Sequence, residues 1–429
     1  MMLLDSSTPR SALFFLGVLL PALQGGEGFL GGSLPVGRSL KTSPSSLSMT
    51  TLDEYRGSKY WEGLVPSATA PRKWDEGFQS FLVKYGMLTH VVYDVFIMGD
   101  EDDEDEQGLR GTSRFSTDMD AFTKEGLKFE YVNKAGKRQT EYDFTGDYKV
   151  VGNIISSPRS FFTAEDNWFG YVALSTDQKE LLIVFRGTQT TKEWQENATG
   201  VMMQLEGEPE VSGLGLLLNR NLLMCHLGFQ QLYEQESTEG LESPRQTVSR
   251  LVEQYKGTIE KVTVVGHSLG AAMAQLCAVH LARDKVLGDV PILGIGWASP
   301  KLGNEHLANW VAKQENLRIL RLRVPVDTVA NTPPEWVLGF ITGGYRNFGT
   351  EITLDNTDLQ KAGLVRTDSG IGQHHNLEQY IHNVDPSRDP ALMNKFGDGL
   401  PEEFMKKNNV SPMWHSQSWP RTVYNKKKT

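Results

Sequence analysis

The stretch Val-Val-Gly-His-Ser-Leu-Gly at residues 264–270 decides the fold of this chain. It contains a Gly-x-Ser-x-Gly pattern centred on Ser268, between an apolar β-branched run at residues 262–265 and an alanine-rich helical pattern at residues 271–283. This context predicts a sharp turn from strand to helix that exposes the hydroxyl group of Ser268. We expect glycine on both sides because a Cβ atom there would clash with the turn. The alternative is an ordinary serine in a glycine-flanked loop, which both flanking patterns disfavour.

Length and composition indicate a folded protein. The chain has 429 residues, a length sufficient for one large α/β domain or two smaller ones. Hydrophobic residues make up 39% of it and charged residues 22%, as in folded globular proteins. The net charge of −10 argues against general nucleic-acid binding. An acidic run at residues 100–106 is interpreted as a solvated loop. Cys225 and Cys277 are the two cysteines, which implies no disulfide framework, and no Cys/His cluster has zinc spacing. We therefore expect no metal.

The first 54 residues have the composition of targeting segments. Residues 1–28 resemble a signal peptide, with Arg10 before an apolar stretch at 12–23 that is too short to span a membrane comfortably. Residues 29–54 are poor in acidic residues and rich in serine, as transit peptides are. Two destinations remain open: a plastid reached through the secretory pathway, or secretion with a flexible spacer. The folded domain is predicted over residues 55–429, with no transmembrane anchor.

Apolar runs and helical patterns alternate along the middle of the chain. Residues 181–185, 292–298 and 319–324 read as strands, and a helix is predicted near residues 306–314. A further amphipathic helix precedes the serine-bearing strand and ends before Gly257. This alternation predicts an α/β fold with a mostly parallel central sheet flanked by helices.

Serine is a weak nucleophile at neutral pH, so Ser268 needs a base and the base needs an orienting acid. After a turn of this kind the partners follow in the order acid, then histidine. Asp327 comes just after the predicted strand at residues 319–324, and His374, His375 and His382 cluster later. Spacing alone neither chooses among the three histidines nor excludes that Asp327 is a surface carboxylate.

Further motifs extend over residues 60–414 and resemble the class 3 (fungal-type) lipases, most closely their plant phospholipase A1 branch. These motifs are Tyr-Gly at 85–86, Tyr-Asp-Val-Phe at 93–96, Asn-Trp-Phe-Gly-Tyr-Val-Ala-Leu-Ser at 167–175, Val-Phe-Arg-Gly-Thr at 184–188, Glu-Trp at 193–194, His-Leu-Gly-Phe at 226–229, Ala-Ser-Pro-Lys-Leu-Gly-Asn at 298–304, Pro-Pro at 333–334, His-Asn-Leu-Glu-x-Tyr-Ile-His at 375–382 and Ala-Leu-Met-Asn-Lys at 391–395.

The resemblance implies an α/β-hydrolase fold with a lid segment and a catalytic triad. In this interpretation Ser268 is the nucleophile, Asp327 the orienting acid and His375 the base. The oxyanion hole consists of the backbone N–H of Leu269 together with Thr188.

Three further assignments follow from the resemblance. The lid begins near Trp194. His374 and His382 are then surface residues or residues that support the base, and His267 is a structural residue.

The resemblance also implies a lipid or membrane-surface substrate and no cofactor. The expected reaction is hydrolysis of an acyl ester of a membrane glycerolipid, at the sn-1 position of a phospholipid or galactolipid. A neutral acylglycerol lipase is the alternative within the enzyme class, and a catalytically silent lipase-fold scaffold is the alternative outside it. Two segments depart from the family pattern. The acidic run resembles an insertion, and the long stretch at residues 195–224 is interpreted as either a modified lid or a surface loop.

Overall fold

The computed structural model describes nine stretches of the chain, with gaps between them: residues 75–98, 126–132, 138–156, 167–187, 201–207, 222–236, 240–334, 344–355 and 374–387. Several predicted features lie outside the described residues: the proposed targeting segments at residues 1–54, the acidic run at 100–106, Thr188 and Trp194.

Helices and strands alternate along the described chain. The helices are α1 Glu76–Met98, α2 Leu227–Glu234, α3 Pro244–Tyr255, α4 Leu269–Arg283, α5 Glu305–Ala312 and α6 Leu377–Val384. The strands are β1 Lys128–Val132, β2 Arg138–Asp143, β3 Tyr148–Ser156, β4 Asn167–Ser175, β5 Glu180–Phe185, β6 Met202–Gln204, β7 Met224–His226, β8 Lys261–His267, β9 Ile292–Trp297, β10 Gly303–Asn304, β11 Leu317–Arg323, β12 Tyr345–Arg346 and β13 Thr350–Thr353.

A seven-stranded sheet forms the centre of the molecule, in the order β13-β11-β9-β8-β5-β4-β3. The five strands from β13 to β5 run parallel to one another. At one edge of the sheet, β4 pairs antiparallel with β5, and β3 pairs antiparallel with β4. The serine-bearing strand β8 lies in the middle of the parallel part, between β5 and β9. The predicted α/β-hydrolase arrangement is confirmed.

Both faces of this sheet are covered, which explains the continuous apolar runs of its strands. On β5, Leu182 and Val184 pack into the same core cluster as residues of α1 and α6. Leu181, Ile183 and Phe185 point the other way, into a cluster with residues of α2, α3 and α4. Side chains of successive strand residues point to opposite faces, so one strand contributes to two cores. The result is a three-layer domain with the sheet in the middle.

The elements around the predicted nucleophile form where the sequence patterns indicated them. The strand predicted at residues 262–265 is β8, and the helix predicted at 271–283 is α4, which begins two residues earlier. Before them, α3 starts with a capping box in which Ser243 and Gln246 bond each other's backbone N–H groups, and Pro244 occupies the first turn. These local signals determine where the helix starts.

A smaller four-stranded sheet, in the order β12-β10-β7-β6, lies beside the central one. Its strands β6 and β7 pair antiparallel and come from the two ends of the long stretch at residues 195–224. The middle of that stretch, with its apolar residues 214–218, lies outside the described residues. In the part of the chain that the structure describes, no helix combines the length and apolar character needed to cross a bilayer.

Candidate active site

The turn at Ser268 has the geometry that its flanking glycines predict. Ser268 separates β8 from α4 and adopts φ 60° and ψ −129°, a backbone conformation that costs a non-glycine residue about 1–3 kcal/mol. A Cβ atom on Gly266 would lie 2.1 Å from the carbonyl oxygen of Gly270, so the turn itself requires this glycine. A Cβ atom on Gly270 would lie 2.4 Å from the carbonyl oxygen of Phe185. The second glycine is therefore required by the neighbouring strand β5.

Ser268, His375 and Asp327 form a continuous hydrogen-bonded chain. The Oγ atom of Ser268 lies 2.7 Å from Nε2 of His375, and Nδ1 of His375 lies 2.7 Å from Oδ2 of Asp327. All three side chains are buried. Because a carboxylate only accepts hydrogen bonds, its position assigns the proton of the neutral ring to Nδ1. This leaves Nε2 free to accept the hydroxyl proton of Ser268, the arrangement that a general base requires.

The carboxylate of Asp327 is held by further donors. Its Oδ1 atom accepts a 2.9 Å bond from the backbone N–H of Val329, and its Oδ2 atom accepts a 2.6 Å bond from the hydroxyl group of Tyr380. Burial, together with the nearby charge of Asp327, holds the pKa of Tyr380 well above its usual range, so the phenol remains a donor. The structure does not support the alternative of a surface carboxylate, because Asp327 is fully buried.

Tyr380 is a site residue that the sequence alone did not identify. It follows His375 by five residues and lies on α6, whose first turn begins immediately after the N-cap Asn376. Its presence in the motif at residues 375–382 was the available signal, but the motif assigns no contact to it.

Of the three clustered histidines, His375 is the one that contacts Ser268. His374 and His382 are each only 8% exposed, which disfavours the alternative that they are surface residues and leaves the alternative that they support the base. Burial lowers the pKa of His374, while the nearby Asp327 opposes this shift. His382 is buried because α6 packs against the core with a continuous set of buried side chains.

The first turn of α4 lies directly behind Ser268. Leu269 is the first residue of this helix, and the leading N–H groups of a helix have no acceptor within it. Such a helix end favours negative charge. The chain just before Thr188 also approaches this point, since a Cβ atom on Gly187 would lie 3.1 Å from Cβ of Ser268. Leu269 and the residue preceding Thr188 are thus both adjacent to Ser268.

The two cysteines take no part in this arrangement. Both are free and buried, and burial raises the pKa of Cys277 to about 12 and also raises that of Cys225. Both are therefore protonated thiols. Among the described residues, no group of three or more His, Cys, Asp or Glu side chains has the geometry to hold a metal ion.

Comparison with known proteins identifies the relatives of this site. Residues 182–336 match the family model described as lipase (class 3). Over 387 residues the chain is 26% identical to phospholipase A1-IIgamma of Arabidopsis thaliana, covering 81% of this chain and 85% of that protein. The chain resembles the class 3 lipases. It is also 25% identical over 406 residues to the chloroplastic phospholipase A1-Ialpha2 of the same plant, covering 84% and 75% of the two chains.

The resemblance inferred from the motifs, including the plant phospholipases A1 among the relatives, is thereby confirmed. The matched region contains Ser268, Leu269 and Asp327, whereas His375 lies 39 residues beyond its end at residue 336. Among solved structures, the nonglycosylated LIP2 lipase of Yarrowia lipolytica is 19% identical, with 66% of this chain and 81% of that chain covered and a TM-score of 0.41.

Proposed function

We propose that this protein hydrolyses an acyl ester of a membrane glycerolipid and that its substrate is the sn-1 ester of a phospholipid. The observation that carries the proposal is the hydrogen-bonded chain from Ser268 through His375 to Asp327 at a strained strand-to-helix turn. Nucleophile, base and orienting acid are each within hydrogen-bond distance of the next, which acyl transfer by a serine hydroxyl requires. A silent scaffold has no need for this geometry.

In the first half of the reaction, Oγ of Ser268 attacks the ester carbonyl carbon while its proton moves to Nε2 of His375. The carbonyl oxygen becomes an oxyanion, which accepts a hydrogen bond from the backbone N–H of Leu269 and from Thr188. The carboxylate of Asp327 stabilises the imidazolium ring. The carbon–oxygen bond to the glycerol then breaks, the departing oxygen takes the proton from His375, and an acyl-enzyme remains.

In the second half a water molecule gives its proton to His375 and attacks the acyl carbon. The second tetrahedral intermediate collapses, Ser268 regains its proton, and a fatty acid leaves. Preorganised donors such as the Leu269 N–H act on the charge of both intermediates, and loss of one such donor typically lowers the rate by about 10²–10³.

The substrate class is supported by the relatives. Several plant proteins similar to this chain over more than 80% of its length are named phospholipases A1, a name that denotes cleavage of the sn-1 ester of a phospholipid. Galactolipids and neutral acylglycerols are the competing substrates.

The test is product analysis with purified protein and its Ser268→Ala variant on three substrates: a phospholipid with a labelled sn-1 chain, a galactolipid and a triacylglycerol. We expect the labelled fatty acid and the 2-acyl lysophospholipid from the wild type, and neither from the variant. Equal release by both proteins would overturn serine catalysis. Faster release from galactolipid or triacylglycerol would retain the serine mechanism and replace the substrate.

We further propose a plastid as the place of action, reached by way of the secretory pathway. The acid-poor, serine-rich composition of residues 29–54 supports this, as does a relative named as chloroplastic. A fluorescent fusion of residues 1–54 tests it against a fusion of residues 1–28. Plastid import of only the longer fusion is expected, and secretion of both would overturn the proposal.

A further inference from the structure

A second hydrogen-bonded chain passes behind the site and ends on the backbone of the base. The Nε2 atom of His267 lies 2.9 Å from the carbonyl oxygen of His375, and Nδ1 of His267 lies 2.7 Å from the hydroxyl group of Tyr93 on α1. The backbone N–H of Gly187 donates to the same hydroxyl at 3.1 Å. The side chains of Tyr93 and His267 are fully buried.

The partners determine the direction of each bond. The carbonyl group of His375 can only accept, so Nε2 of His267 carries a proton. Burial, with smaller effects of the nearby His375 and His90, lowers the pKa of His267 well below its usual value, so the ring is neutral. Nδ1 is then an acceptor and Tyr93 donates to it. The phenol oxygen remains available to accept the N–H of Gly187, and each of these three contacts pairs a donor with an acceptor.

The packing around Gly187 shows how closely these groups fit. A Cβ atom at this position would lie 2.4 Å from the hydroxyl oxygen of Tyr93 and 2.8 Å from the carbonyl oxygen of His267. Gly187 directly precedes Thr188, the residue assigned to the oxyanion hole. The hydroxyl group of Tyr93 therefore lies between Gly187, which precedes Thr188, and the strand-to-helix turn at Ser268.

We propose that Tyr93 and His267 are positioning residues. They hold the backbone of His375 and the backbone of Gly187 in place relative to Ser268. This rests on the proposed function, because it concerns the alignment of the same triad. His267 bonds the backbone of His375 beside the ring that contacts Ser268, and the rings of the two histidines are 4.8 Å apart. Their hydrogen bonds are made to the backbone of His375 and of Gly187. Neither side chain contacts the reacting atoms, so both residues act on the triad through these two backbone groups.

The structure offers a matched control. Tyr233 and His280 form a second buried pair, with the hydroxyl group 2.8 Å from Nδ1 and ring centroids 5.7 Å apart, against 5.8 Å for Tyr93 and His267. His280 lies at the far end of α4, twelve residues after Ser268. Tyr93→Phe and Tyr233→Phe therefore remove the same kind of hydrogen bond, one beside the site and one far from it.

The α1 helix has other attachments that do not involve the Tyr93 hydroxyl. Nε2 of His90 lies 3.0 Å from Oε1 of Glu378 on α6, and Tyr171 donates a 2.8 Å bond to the carbonyl oxygen of Leu88. Tyr93→Phe thus changes the alignment of the site without detaching the helix.

The experiment measures kcat and KM of both variants on the best substrate of the wild type, with thermal unfolding midpoints to check folding. We expect Tyr93→Phe to lower kcat by roughly 10- to 100-fold with KM within about twofold, since a misplacement of about 1 Å has effects of this size. Tyr233→Phe should retain the kcat of the wild type. Equal kcat values for the two folded variants would overturn the proposal.

A histidine-labelled NMR spectrum supplies a readout that needs no substrate. The ¹⁵N shifts of wild-type His267 should report a neutral ring protonated at Nε2, and the Nδ1 proton of His375 should shift in Tyr93→Phe but not in Tyr233→Phe. An unchanged His375 signal in Tyr93→Phe would overturn the positioning role. If the wild type releases no fatty acid from any lipid, the proposed function fails while the NMR arm still tests the hydrogen-bonded chain.

Discussion

The hydroxyl group of Tyr380 lies 2.6 Å from Oδ2 of Asp327, the same oxygen that contacts His375. The same hydroxyl oxygen accepts a 3.1 Å bond from the backbone N–H of Val324. The hydroxyl oxygen of Tyr380, on α6, thus contacts both the carboxylate of Asp327 and the backbone at the end of β11. A buried carboxylate is stable only when its oxygens are bonded, and this one has three donors.

Removal of the Tyr380 hydroxyl group should therefore reduce the stability of the protein more than removal of a buried hydroxyl group that bonds a neutral acceptor. We expect Tyr380→Phe to destabilise the protein by about 1–3 kcal/mol, because a buried carboxylate and a backbone N–H each lose a partner. The control is Tyr171→Phe, because the Tyr171 hydroxyl donates to a neutral acceptor, the carbonyl oxygen of Leu88. Urea unfolding of both variants measures the difference. A larger loss for Tyr171→Phe would contradict the role assigned to Tyr380.

The base is tested by two neighbouring substitutions. His375→Ala should lower acyl hydrolysis by several orders of magnitude, because Nε2 of His375 lies 2.7 Å from Oγ of Ser268. His374→Ala should have a small effect on kcat. Steady-state rates on the same lipid measure both, and the reverse order of effects would move the base by one position.

The orienting acid is tested by Asp327→Asn. An amide can donate a hydrogen bond to Nδ1 of His375, which favours the ring tautomer that cannot accept the proton of Ser268. We expect a loss in kcat of about 10⁴ with a folded protein. Circular dichroism confirms the fold, and a rate near that of the wild type would place the acid elsewhere.

The requirement for glycine at position 270 predicts a stability effect. In Gly270→Ala the new Cβ atom would lie 2.4 Å from the backbone oxygen of Phe185, so β5 and α4 must separate. We expect a destabilisation of about 1–3 kcal/mol or more. In Gly146→Ala the Cβ atom meets nothing within 4 Å, so this control should be close to neutral. Thermal unfolding compares the two, and equal midpoints would contradict the close approach of α4 to β5.

Stability should also depend on pH through the buried histidines. Burial is the main cause that lowers the pKa values of His267, His280 and His374 below 6.5 in the folded state. Between these lowered values and 6.5 the unfolded chain binds more protons than the folded one. Stability is therefore complete above about pH 6.5 and falls as the pH drops, by at most about 1.4 kcal/mol per pH unit for each histidine.

Urea unfolding at pH 7.5 and pH 5.5 measures this dependence. His280→Gln should reduce the slope, because it removes one of the three histidines with a lowered pKa without touching the triad. The aspartates with lowered pKa values, Asp143 and Asp284, titrate below this window and do not contribute to it. A stability that rises toward acid pH would contradict the assigned direction.

Local sequence was sufficient for the elements that carry the site. The strand and helix around Ser268, the two glycines, the order of acid and histidine and the mostly parallel sheet all followed from patterns within short stretches. They did so because backbone sterics and hydrophobic periodicity act over a few residues. The preference for His375 came from the motif at residues 375–382, since spacing left three histidines open.

Tertiary structure alone decided which side chains meet. The contacts Tyr380 to Asp327 and Tyr93 to His267 join residues 53 and 174 positions apart. The burial of His382 likewise depends on how α6 packs against the core. Hydrogen bonds between distant side chains arise only when the strands of the sheet bring their ends to one edge and the helices close over it. The sequence by itself thus predicted Ser268 as the nucleophile and determined the fold around it, whereas the hydrogen-bonded contacts of Ser268 came from packing over the whole domain.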